Sequence, residues 1–120
     1  MQNLDQIRAA AASHLCAHAD FTRSDVAGFP SLIVNNGLLA ATAFVAENER
    51  EARAGAALAA NGMALHLANA VHGITALNGV TDASGLVRAL SARATSLDLQ
   101  RATAEALAFF SYVKRFAKRK

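Results

Sequence analysis

One proline, at position 30, is all that this 120-residue chain holds of the residue that most strongly forbids regular helix. Much of the apolar content is alanine, which has the best intrinsic helix propensity and lets helices approach closely. Few β-branched residues compete with it. The chain is therefore expected to fold as an all-α, compact single-domain helical bundle of about five to six helices, spanning 1–120. At 53% hydrophobic and 18% charged it has enough apolar surface to offset chain entropy, so disorder is excluded.

The hydrophobic spacing marks the helices. Leu4, Ile7, Ala11, Leu15 and Ala19 fall at steps of three or four behind Asn3, a good N-cap. Pro30 suits the first turn of a second helix, expected to run to about Ala46. Within it, Asn35-Asn36-Gly37 is a poor helix interior, and such a break usually serves packing or function. These three residues are the candidate subunit interface.

A third helix is expected over about Glu49 to Val71, with Glu49 and Arg53 as an i,i+4 pair. A glycine-rich loop at 73–85 follows, with room for one short helical turn. The fourth helix is placed at about Ser84 to Ala92. Thr95 and Asp98 make a capping-box-like start for the last. Behind them Leu99, Ala102, Ala106, Phe109, Val113 and Phe116 form one stripe, while Leu107, Phe110 and Tyr112 lie outside it. A helix apolar on several sides is either central to the domain or meets a partner.

No apolar run reaches the roughly 18–20 residues that span a bilayer, and the start lacks the pattern of a signal peptide. The lone Cys16 forms no intrachain disulfide and fits a reducing compartment. A cytoplasmic protein without membrane contact is expected.

Catalytic patterns are missing from the sequence. There is no phosphate-binding glycine loop and no nucleophile elbow, and Cys16 has no histidine partner at a recognisable spacing. His14 and His18 stand at i,i+4, a spacing that can hold a metal, but no third ligand lies at a recognisable spacing, Asp20 being only a loose candidate. His66 and His72 stand six apart and share no helical face. The expectation is no enzyme, no cofactor, no metal and no small-molecule substrate.

Charge is the best functional material. Residues 1–60 carry four basic and six acidic side chains, whereas residues 61–120 carry eight and three. Five of the basic groups fall between Lys114 and Lys120. On one helix, Lys114 with Lys118 and Arg115 with Arg119 would make two basic ridges. Arg88, Arg93 and Arg101 would extend them if the last two helices pack together. Such a strip suits a phosphate backbone, and it offers no aromatic platforms for base stacking.

Three segments in order carry a resemblance: Asn3 to Ala9, Phe29-Pro30 through Asn36-Gly37-Leu38 to Phe44, and Thr103 to Leu107 through Val113-Lys114-Arg115-Phe116-Ala117. Together they resemble the small subunit of the Cmr effector complex, the type III-B CRISPR machinery. That family carries Trp where this chain has Tyr112. The resemblance implies a non-catalytic helical subunit that stacks along a filament and lines the target RNA path in antiviral defence. Its implied partners are other Cmr protein subunits, copies of itself, and guide and target RNA within the assembled complex. The alternative is a homo-oligomeric protein-interaction adaptor without RNA binding. A small DNA-binding protein fits less well, because the loop at 73–85 is too long for a helix-turn-helix.

Overall fold

The computed structural model describes residues 3–47 and 54–119. It is all-helical: α1 (Leu4–His18), the single turn α2 (Arg23–Val26), α3 (Phe29–Asn36), α4 (Leu38–Glu47), α5 (Ala54–Leu67), α6 (Ala83–Ala92) and α7 (Ser96–Phe116). Two 3-10 turns, Ala70–His72 and Thr75–Leu77, link α5 to α6. The expected pair Glu49–Arg53 and the start of the third helix lie outside the described residues.

Local signals explain most helix starts. Asn3 closes a capping box with Gln6, and Thr95 closes another with Asp98. Asp82 caps α6 by accepting from the Gly85 N–H at 2.7 Å. Thr22 and Asp25 cap the single turn α2 between α1 and α3; Phe21 and Val26 anchor it in the core.

The second helix is not continuous. It breaks at Gly37, whose φ of 89° and ψ of 157° lie in a region open essentially only to glycine. A Cβ at Gly37 would meet nothing within 4 Å, so backbone conformation and not close packing accounts for this glycine. Gly62 has the opposite role: a Cβ there would fall within 3.0 Å of the Leu15 side chain, where α5 crosses α1.

α7 is the central helix. It packs along α1 and touches α2, α3, α4 and α5, which is why it is apolar on several sides. Phe109, Phe110 and Val113 are fully buried, and Phe110 meets Phe29 with ring centroids 5.0 Å apart. Phe116 departs from the expected stripe: it is 44% exposed, and Ala117, just beyond the helix, is buried instead. Cys16 is buried, its Sγ 3.6 Å from the Val113 carbonyl, and burial raises its thiol pKa.

Candidate functional site

The basic residues do not form the continuous strip expected from the sequence. α7 ends at Phe116, and Ala117 turns extended with φ −65° and ψ 148°. Lys118 and Arg119 therefore leave the helix and cannot stack below Lys114 and Arg115. The tail instead runs beside the turn before α2, in an isolated parallel bridge between Thr22 and Lys118. The Arg23 N–H donates to the Lys118 carbonyl at 2.7 Å, and Arg23 Nη2 donates to the Arg115 carbonyl at 3.2 Å. This brings Arg23 to Lys114, Arg115 and Ser111 around an open cleft of about 500 Å³. Sequence reading missed Arg23, which lies 92 residues from its partner and carries no local signal. Phe116, on the last turn of α7, leaves an aromatic face exposed near this basic end, with Tyr112 6.1 Å away.

The other cationic candidates sit elsewhere. α6 packs mainly on α4 and α5, not along α7. Arg88 and Arg93 line a cleft of about 420 Å³ with Asn78, Gly79 and Gly85. Arg101 borders a third cleft, where its Nη2 donates to the His72 carbonyl at 2.7 Å. Asn35, Asn36 and Gly37 are all exposed, at a break between α3 and α4 where a helix interior was expected.

Around Arg101 the structure assembles a polar cluster that sequence reading kept apart. Glu105 lies on the buried side of α7 and is only 6% exposed. Arg8 grips it with a fork: Nε donates to Oε2 and Nη2 to Oε1, each at 2.8 Å. His66 Nε2 donates to Oε2 at 2.8 Å, and His72 Nδ1 stands 3.8 Å from Oε1. The two imidazoles meet edge to face with centroids 4.6 Å apart, and His66 also stacks on Phe109 at 4.5 Å.

His66 and His72 come together because α5 stops at Leu67. Asn69 then caps a 3-10 turn by accepting from the Val71 N–H at 3.0 Å, folding His72 back. A single helix running to Val71 would have held them apart. The one legible signal was Glu105, a carboxylate set mid-helix beside Ala102, Ala106 and Phe109.

Burial fixes the charges here. Desolvation pushes both imidazoles below the usual histidine value, outweighing the attraction of Glu105, with Arg8 adding repulsion. For Glu105, burial alone would raise the carboxyl. The hydrogen bonds of Arg8 and His66 and the fields of His72 and Arg8 more than offset it and hold it below the ordinary range. Arg8 is pushed up, chiefly by its bond to Glu105. At neutral pH the cluster is one carboxylate, one guanidinium and two neutral imidazoles.

His14 and His18 behave differently. Both are exposed, their rings stack at 4.2 Å, and His18 Nδ1–H donates to the His14 carbonyl at 2.9 Å. Among the described residues no helix is long and apolar enough to cross a membrane. Over residues 5–119 the chain matches the family model described as CRISPR-associated protein (Cas_Cmr5). No curated protein and no solved structure matches it.

Proposed function

The chain belongs to the Cas_Cmr5 family of CRISPR-associated proteins, and from that membership we propose that it is the non-catalytic small subunit of a type III-B Cmr ribonucleoprotein effector complex. In this reading it stacks with copies of itself along the filament, beside the other Cmr subunits, and lines the path of the target RNA in antiviral defence. Guide–target base pairing supplies sequence recognition, and this subunit supplies geometry and charge.

The observation that carries the reading is the basic end of α7. Arg23, Lys114 and Arg115 surround one cleft, and the pinned tail brings Lys118 beside it. Cations grouped around an open cleft suit a phosphodiester backbone. Exposed Val34, Leu65 and Leu97 supply apolar area for protein neighbours.

The test replaces Lys114, Arg115, Lys118 and Arg119 with alanine. Helical content should persist, RNA binding should weaken, and the dependence of log K on log salt should become shallower. Each lost phosphate contact on a single strand lowers that slope by about 0.7. An adaptor that binds only protein would show no RNA affinity to lose, and an unchanged slope would remove these four residues from the RNA path.

A further inference from the structure

The Glu105 cluster has no part in the RNA reading, and as a purely structural network it is incomplete. Because an ionised carboxylate only accepts, the bond to Glu105 fixes a proton on His66 Nε2 and leaves a lone pair on Nδ1. That Nδ1 is buried without a hydrogen-bond partner, and so is His72 Nε2. The two side chains are 1% and 4% exposed. Buried polar networks that serve structure alone are normally closed, because each orphaned nitrogen forfeits its hydration. Both orphans sit on the ring edges opposite Glu105; the edges turned toward the carboxylate, His66 Nε2 and His72 Nδ1, are the ones a ligand shared with it would meet, with the His66 proton passing to Nδ1.

We propose that His66, His72 and Glu105 form a binding site for a divalent transition-metal ion of the zinc class, for which the Arg8 guanidinium is the competing resident cation.

Two imidazoles and a carboxylate are a donor set that zinc takes readily, with a fourth position left to water. One donor atom from each residue lies within 4.8 Å of the others, and the three residues come from α5, the first 3-10 turn and α7. Zinc–ligand bonds of about 2.0–2.1 Å place donors roughly 3.3–3.5 Å apart, so side-chain shifts of about 1–1.5 Å complete the site. A cleft of about 390 Å³ opens onto His72 and Glu105 between Leu4, Val71 and Ile74, giving an entry path and room for bound water.

Arg8 is the counterargument and also the signature. Its fork occupies Glu105, and its charge repels a second cation. Yet Arg8 already touches Asp5 at 3.1 Å, and Asp5 is exposed, so the guanidinium has a partner to move to. A metal entering this site must displace Arg8. Removing Arg8 should therefore strengthen binding, whereas in a purely structural network it could only weaken the fold.

The test titrates zinc chloride into chelator-stripped protein, following heat and thermal midpoint, with magnesium as the control. The wild type should bind one zinc per chain and melt higher with it, and magnesium should do neither. Arg8→Ala should bind zinc about tenfold more tightly or better, because a unit charge a few ångströms away is gone. His72→Ala and Glu105→Gln should lose stoichiometric binding while keeping their circular dichroism. Zinc uptake that survives both variants, or disappears in His14→Ala/His18→Ala, would assign the ion to the exposed histidine pair and overturn the proposal. So would the absence of stoichiometric uptake by both the wild type and folded Arg8→Ala.

Discussion

Arg8 and Glu105, ninety-seven positions apart in sequence, meet through two 2.8 Å hydrogen bonds that tie α1 to the buried side of α7. The pair spans the broadest helix contact in the fold, and His66 and His72 lean on the same carboxylate from the end of α5 and the turn after it. Deleting Arg8 leaves Glu105 charged, buried and short of two hydrogen bonds. Breaking a buried pair costs about 3–5 kcal/mol. Arg8 is 21% exposed, so water can replace part of its contact and Arg8→Ala in metal-free protein should fall toward the lower end. Urea denaturation measures it; a loss under 1 kcal/mol would mean the fork is decoration.

Phe109 tests the core assignment. It is 1% exposed, stacks on His66 and meets Phe110 edge to face at 5.7 Å. Phe109→Ala should cost about 3–5 kcal/mol. Phe116→Ala on the same helix should cost far less, because Phe116 is half in solvent. Paired thermal melts should separate the two variants clearly, and equal shifts would contradict the burial assigned to them.

Acid should loosen the cluster in two stages when chelator keeps the protein metal-free. Folded His66 and His72 titrate below 6.5, so their contribution is complete above about pH 6.5 and is lost as pH falls through their folded values. Folded Glu105 titrates below 4.5, so its contribution is lost only at lower pH still. Arg8, Arg101 and Asp5 are the charged groups around them. The urea midpoint should thus hold level down to about pH 6.5 and then decline, and His72→Gln should soften the first decline. A midpoint that rises on acidification would reverse the sign of this account.

Gly37→Ala should destabilise by about 1–3 kcal/mol, since alanine cannot adopt the φ and ψ found there without strain. No neighbour lies where the new methyl would go, so crowding within the chain contributes nothing. A neutral outcome by chemical denaturation would mean that α3 runs into α4 as the unbroken helix the sequence suggested.

That break shows where sequence reading stopped. Asn3 and Thr95 announced helix starts because a cap is a local event, written within three residues of the helix it serves, whereas Asp82, the cap of α6, was read as part of the loop at 73–85. The stripe from Ala102 to Val113 likewise marked α7 as a core element, and the spill to Phe110 flagged its central position. Gly37 was noticed as unusual, but whether a glycine interrupts a helix or packs inside one depends on neighbours the sequence does not display. Glu105 was legible only as a carboxylate out of place. Its partners come from position 8, from the end of α5 and from the turn that folds His72 back, and no spacing rule joins them. The basic tail was found by composition but misplaced, because the extended turn at Ala117 and the bridge to Thr22 are tertiary facts.

The most direct measurement of the central claim is the native mass of the particle that a tagged copy of this chain carries from its own cells, before and after nuclease. The account predicts a large assembly of several different proteins, more than one copy of this chain, and a guide RNA. A small homo-oligomer free of RNA, from cells shown to express the other Cmr subunits, would contradict it.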